Sequence, residues 1–195
     1  LLDIIPPLKS NRKVNYSDSS FIEKPEMKHL ETNGLISTVL ICLGGEAPAS
    51  LSKPIATTLL KLLPSAKITV INSKLTEEKS EGEVTYIPPV KNLKDELYRY
   101  DLVITHYGLT AFEAQSSGCG VILSSPTKLH QQLAQKYDFA FIPHNKLNEK
   151  TLQEALQSPK LFSEQKISHD NKKLPDLLKS LAKGVRLYCP ICQNS

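Results

Sequence analysis

No stretch of this 195-residue chain stays apolar for the ~18 residues that a membrane-spanning helix requires, which excludes a span of that kind. The start carries no secretory leader pattern, because Leu1-Leu2-Asp3 puts an acid where a basic segment belongs. There is no initiating methionine, and the one methionine is Met27. The chain is therefore expected to begin inside a longer product, or after processing. Cysteine is sparse, with four in all. Cys42 sits inside the apolar run Val39-Leu40-Ile41-Cys42-Leu43 and Cys119 between two glycines, so neither reads as half of a disulfide framework. A reducing, cytoplasmic setting is expected. A strong charge of one sign is also missing. The net charge is +4, and residues 160–186 alone hold seven Lys/Arg against three acids, which accounts for all of it. The rest is near neutral, which argues against a nucleic-acid-binding face. The tail's charge reads as a solvated helix surface. Neither Gly-x-Gly-x-x-Gly nor Gly-Lys-Ser/Thr follows the first apolar run, so the dinucleotide and P-loop signatures are both absent. There is no internal repeat and no low-complexity segment.

What the sequence does contain is a regular alternation. Residues 1–35 are irregular, with Pro6-Pro7 and a polar stretch from Lys9 to Ser20. They read as a linker or the end of a preceding domain, with one short strand around Ser20 to Ile22. From Ile36 the pattern changes. Ile36 to Leu43 is a nearly continuous apolar run ending at Gly44-Gly45, which suits a strand buried on both faces. A helix is expected next, capped by Ser50 or Ser52 and running to about Leu63, with Pro54 in its first turn. Further strands are expected over Lys67 to Asn72, Val84 to Ile87, Asp101 to His106, Gly120 to Ser124 and Phe139 to Pro143. Between them Asn92 can cap a short helix carrying Leu93, Leu97 and Tyr98. Gly108 opens a helix through Ser116 that Gly118 ends. Leu129 to Lys136 and Glu149 to Leu156 complete the helices. Strands and helices alternating at short spacing predict an α/β fold with a doubly wound parallel sheet. The expected organisation is one such domain over 36–157, a helical extension over 158–186 broken at Pro175, and the start of another module over 187–195.

In an open parallel sheet ligands bind beyond the carboxyl ends of the strands, so the strand-to-helix turns carry the chemistry. The first is Leu43-Gly44-Gly45-Glu46-Ala47-Pro48. Two glycines there let the chain turn sharply and let a phosphate approach the amides; a plain tight turn would look the same. The second is His106-Tyr107-Gly108-Leu109-Thr110-Ala111-Phe112-Glu113. Thr110 can cap the helix, and Glu113 lies about one turn in, able to accept two ribose hydroxyls. The Ser/Thr-x-x-Glu spacing equally fits a structural capping box. The third is Lys128-Leu129-His130-Gln131-Gln132, whose polar groups can face a sugar or phosphate, or solvent.

Taken together these residues resemble a known group. Ile41-Cys42-Leu43-Gly44-Gly45-Glu46-Ala47-Pro48-Ala49-Ser50-Leu51 looks like the Gly-Gly loop of the sugar-nucleotide hydrolases of the pseudaminic-acid pathway and the related spore-coat polysaccharide proteins. Asp101-Leu102-Val103-Ile104-Thr105, followed by Gly108-x-Thr110-x-x-Glu113 and Gly118, is similar to the donor-binding signature those proteins share with MurG-type N-acetylglucosaminyltransferases. His130-Gln131 resembles the pair that follows in both. The resemblance covers residues 36–145 and implies the nucleotide-sugar-binding half of a GT-B fold. It implies that Gly44 and Gly45 face the diphosphate, Thr110 a phosphate, Glu113 the ribose and Gln131 the sugar or phosphate. His106, Leu109 and His130 fall in the same segments, and the base is placed near Pro89 and Val90. The sequence departs from the hydrolases at Glu46, where they usually carry a small polar residue.

The resulting expectation is a domain that binds a UDP-sugar, without a cofactor of its own, in a glycosyltransferase or sugar-nucleotide hydrolase of surface-polysaccharide biosynthesis. Its expected partners are the nucleotide-sugar and an N-terminal acceptor domain of the same protein, which would supply the catalytic base. Alone, the chain is expected to be inactive. A non-catalytic nucleotide-binding or scaffolding domain is the alternative. Cys189-Pro190-Ile191-Cys192 is half of a zinc knuckle; zinc would need two more ligands from residues beyond this chain. Such a start resembles the zinc module of some sugar methyltransferases.

Overall fold

The computed structural model describes residues 2–3, 16–17, 25–29, 34–44 and 49–163, with residues 176 and 179. The chain divides into two compact units, one of residues 1–23 and 165–195, the other of residues 24–164. In the first, β1 (Leu2–Asp3) pairs in parallel with β2 (Tyr16–Ser17), and Asp176 and Lys179 are helical. The expected strand around Ser20, the break at Pro175, Gly45, Glu46 and the Cys189/Cys192 pair lie outside the described residues.

The second unit is built on β3 (Thr38–Cys42), α1 (Ala49–Leu62), β4 (Lys67–Ile71), β5 (Lys79–Glu81), β6 (Val84–Ile87), β7 (Leu102–Thr105), α2 (Leu109–Ser116), β8 (Gly120–Ser124), α3 (Lys128–Lys136), β9 (Ala140–Ile142) and α4 (Glu149–Leu156). The strands form one sheet in the order β5-β6-β4-β3-β7-β8-β9, parallel except for β5 against β6. The fold is thus the doubly wound α/β arrangement that the alternation predicts.

The apolar runs are continuous because both faces of the sheet are covered. Val39, Ile41, Ile68, Val70, Leu102, Ile104 and Ile122 join Ile55, Leu59, Leu152 and Leu161 in one core, under α1 and α4. The alternate residues Leu40, Val103, Val121 and Leu123 are equally buried, on the opposite face, where α2 packs against β7 and β8.

Several local expectations change. Helix α1 begins at Ala49, so Ser50 and Ser52 are inside it rather than capping it, and Pro54 falls in the second turn. Its missing N–H removes the bond to the Ser50 carbonyl, one turn earlier. Asn92 stands at a cap position but makes no side-chain capping bond, and two 3₁₀ turns, Leu93–Asp95 and Leu97–Arg99, replace the short helix. Helix α2 starts at Leu109 with Gly108 at its N-cap; Thr110 is its second residue, so the Thr110/Glu113 capping box is not formed. Gly118 follows the helix with φ +84°, as expected for its end. A reciprocal capping box is found instead at α4, between Asn148 and Thr151. Strand β5 was not foreseen. It folds back on β6 through the two-residue turn Gly82-Glu83, with Gly82 at φ +62°.

Candidate functional site

Counted along the chain, the first parallel strand of the large sheet is β3. The next two, β4 and β6, lie on one side of it, and β7, β8 and β9 on the other. The direction of winding reverses between β3 and β7, so the connections leaving these neighbours diverge and open a crevice at their carboxyl ends. Cys42 and Thr105 are register partners at that end. The turn after β3 and the turn after β7 therefore flank one crevice, as the ligand-side reading of the two glycine segments requires.

Two glycines shape it for different reasons. Gly44 has φ +81°, a left-handed conformation that other residues adopt at a cost. Gly108 has φ 172°, extended backbone open to any residue, and a Cβ there would meet nothing within 4 Å. Neither conformation nor packing calls for glycine at Gly108. Its absent side chain leaves clear space in front of the first turn of α2, whose N–H groups have no partners within the helix.

Glu113 stands in the second turn of α2 and is buried, with 9% exposure. Its negative charge is felt at Cys42, on the far side of the crevice: burial first, and then Glu113, push the Cys42 thiol up, against a lowering backbone contact at Gly44. His106 ends β7. Its Nε2 is buried and makes no hydrogen bond. Burial, and then His130, push the imidazole down to about 4. The His130 ring meets it edge-on with centroids 5.7 Å apart. Burial also lowers His130. Thr127 fixes His130, accepting from its backbone N–H at 3.3 Å as N-cap of α3 and pairing with Nδ1 at 2.8 Å.

The next residue, Tyr107, turns away from the crevice into an aromatic cluster with Phe112, Tyr137 and Phe139. Burial raises its hydroxyl well above the usual range, and Tyr137 adds to this. That anchor holds the turn between His106 and Gly108 in place.

The remaining expected residues divide. Leu109 is exposed at the first position of α2, and Thr110 follows it half-buried. Gln131 is committed in part to structure: its Oε1 accepts from the His144 backbone N–H at 2.9 Å, tying α3 to the loop after β9. Pro89 and Val90 follow β6, with β4 between them and β3, about 10 Å away across two strand spacings.

Three further features mark this end, and of their residues only Leu109 was among those expected. Ser125, directly after β8, is 4% exposed with an unpartnered hydroxyl. Leu51, Leu109 and Leu129, in the first turns of α1, α2 and α3, are exposed along this same edge. Cys42 lies in the crevice wall. Of these, Leu51, Leu109 and Leu129 were legible as the apolar residues nearest the predicted turns. Nothing in sequence marks the Ser125 hydroxyl as unpartnered. Among the described residues the other unpartnered buried groups, on Gln115 and Ser117, lie at the opposite end of α2. Among the described residues no cluster of His, Cys, Asp or Glu could hold a metal, and no helix is long and apolar enough to cross a membrane.

No protein-family model and no curated protein matches the sequence. Solved structures do match in shape. The glycotransferase of kitacinnamycin superposes with a TM-score of 0.56 at 15% identity, over 84% of this chain and 49% of its own. The spinosyn forosaminyltransferase SpnP gives 0.55 at 17%, over 93% and 54%. TarM of S. aureus, solved with fondaparinux, α-GlcNAc-glycerol and UDP, gives 0.54 at 13%, over 87% and 40%. The chain spans about half the length of the glycosyltransferases it matches. At such identities the likeness establishes the fold, which is the Rossmann-like half of a GT-B arrangement.

Proposed function

We propose that the unit of residues 24–164 binds a nucleoside-diphosphate sugar, with a UDP-sugar as the first candidate. Its role would be the donor-binding half of an enzyme that transfers or hydrolyses the sugar in surface-polysaccharide biosynthesis. The observation that carries this reading is Gly108: a glycine that neither backbone nor packing requires, clearing the front of α2 across the switch point from the Gly44 turn. A diphosphate placed there meets amide N–H groups and the positive end of α2. Glu113, buried one turn deeper, is positioned to accept the ribose hydroxyls. Gln131 would offer its NH₂ to the sugar or phosphate. Gly45, Glu46, Thr110, Leu109, Pro89 and Val90 would complete the lining. The second domain, holding the acceptor and the catalytic base, would come from the rest of the same protein, so this chain alone should bind without turnover. Cys189 and Cys192 would take zinc only with two further ligands.

A melting screen against UDP, CMP, GDP, ADP and NAD tests the reading, since a ligand that binds only the folded state raises its stability. UDP should give the largest shift. A larger shift with another nucleotide would overturn the choice of uridine. No shift with any of them at millimolar concentration would overturn the site. Steady release of UDP from a UDP-sugar by this chain would overturn the assignment of the catalytic base to another domain.

A further inference from the structure

His29 lies at the opposite end of the sheet from the candidate site, in the short irregular segment of residues 25–29 that precedes β3. Its side chain is 11% exposed, and both ring nitrogens face oxygen acceptors. Nδ1 lies 2.8 Å from the Tyr98 carbonyl oxygen, which can only accept, so Nδ1 carries a hydrogen. Nε2 lies 3.0 Å from Oδ1 of Asp101. The other carboxylate oxygen, Oδ2, accepts from the backbone N–H of Ser37 at 2.9 Å and of Thr38 at 2.7 Å. The hydroxyls of the same two residues donate to it at 2.9 and 2.8 Å. Donors gathered on a carboxylate favour its ionised form. The proton between Oδ1 and Nε2 therefore belongs to the nitrogen, and the ring is an imidazolium held by a buried carboxylate.

The segment has little else to hold it. Pro25 is buried, but Glu26, Met27 and Lys28 are exposed, so it covers little apolar area of its own. Its backbone is tied through the same residue, because the His29 N–H donates to the Ser117 carbonyl at 2.6 Å. A Cβ built on Gly118, just past α2, would meet His29 atoms at 3.7 Å. One residue thus bridges the 3₁₀ turn at Tyr98, the start of β7 and the end of α2.

We infer that residues 25–29 are a strap latched by the charge of His29: it closes over the end of α2 with one proton bound and opens when that proton leaves. On opening, Nε2 gives its proton to the buffer and no other bond changes. A closed strap with a neutral ring would turn the bare Nε2 lone pair toward an anion and leave the Asp101 charge without its partner. The titratable and charged groups around the latch are Glu26 and Lys28 on the strap, Glu96, Tyr98 and Arg99 at the 3₁₀ turn, Tyr100 and Asp101 before β7, and Cys119 after α2. Glu96 and Arg99 pair with each other at 2.9 Å. Burial, and then the Asp101 charge, push the Cys119 thiol up to about 12, so it stays neutral. Asp101 is the group of this set in contact with the imidazole.

The sign of the pH dependence follows. Closure takes up a proton wherever the open ring is neutral. Below the ordinary histidine value of about 6.5 the open ring is charged as well, and closure does not depend on pH. Above it, closure weakens as pH rises, by at most about tenfold per pH unit for one proton. The latch is independent of what binds at the carboxyl end of the sheet.

Two measurements on the whole chain test it. Imidazole nitrogen signals at about pH 7.5, roughly one unit above the ordinary histidine value, should show both nitrogens of His29 protonated. A bare Nε2 would overturn the latch, because the proton would then sit on Asp101. Hydrogen exchange of the His29 amide, with its intrinsic rate divided out, reports opening directly, since that N–H is the one on Ser117. Its protection should fall between about pH 7 and 9, by up to about tenfold per unit. In His29→Gln the same amide should be less protected at about pH 7, by roughly 10- to 100-fold, and pH should no longer change it. Constant protection in the parent over that range would overturn the latch, and needs no variant that folds. A pH dependence that survives in His29→Gln would overturn the assignment to His29.

Discussion

The two ends of the large sheet are built from the same strands and differ in how they use buried polar groups. At the amino end, Asp101 precedes β7 with its carboxylate buried. Its Oδ2 accepts from the backbone N–H and hydroxyl of both Ser37 and Thr38 at 2.7–2.9 Å. His29 meets Oδ1 through Nε2 at 3.0 Å, and its Nδ1 lies 2.8 Å from the Tyr98 carbonyl. One carboxylate thereby ties three separate segments together. At the carboxyl end, His106 and Ser125 keep buried polar atoms without partners, and three leucines stay exposed. A satisfied buried network contributes to stability, whereas unsatisfied groups detract from it unless something arrives to satisfy them. Gln115 and Ser117, at the far end of α2 toward the amino end, also keep buried atoms without partners, so what sets that end apart is the satisfied network around Asp101.

Substitutions can break that contrast. The largest effect is expected from Asp101→Ala, which strips five contacts from one buried anion and should lower unfolding free energy by about 3 kcal/mol or more in denaturant titration. If Asp101→Ala melts like the parent, the amino end is not the anchor. Glu113→Gln should act in the other direction, weakening UDP binding by roughly 10- to 100-fold through loss of a charged hydrogen bond. Its melting temperature should stay near the parent's. Equal affinity in calorimetry would make Glu113 structural. Gly108→Ala should lower affinity about tenfold, because its methyl projects into the ligand's space, while costing under about 1 kcal/mol at a cap position. A loss of stability without loss of affinity would reverse that view of the turn. The smallest effect is that of Thr127→Ala, about 1 kcal/mol for a lost N-cap. It sharpens the comparison, since the same substitution frees the His130 ring and should also weaken binding; an unchanged affinity would detach His130 from the site.

Much of this architecture could be read from residue patterns. The parallel strands were legible because both of their faces are buried, which leaves runs such as Val39 to Leu43 without polar interruption. The switch-point turns were legible because glycines follow those runs. Helix starts were less so: Thr110 and Glu113 have the spacing of a capping box, but the chain enters α2 one residue after Gly108, and the pattern is left inside the helix. Asp101 looked like the first residue of a strand, since a network of partners 63 and 64 positions away has no local signature. The downward push on the His106 imidazole comes from burial and then from His130, which only the folded chain supplies. Strand β5 was missed because Lys79, Ser80 and Glu81 are all exposed, with none of the alternation by which strands are recognised.

That same polar strand bears on how copies of this chain behave in company. Without it, β6 would end the sheet and offer Val84 to Ile87, a run of β-branched and aromatic residues, as a template for the backbone of another molecule. The hairpin covers that margin with a strand three residues long, and Lys79, with Lys53, pairs with Glu81 along it. A short margin bearing charges of both signs gives an incoming strand few bonds and an unfavourable desolvation. Self-association by strand addition is therefore discouraged on this side, even at the high local concentrations found during synthesis.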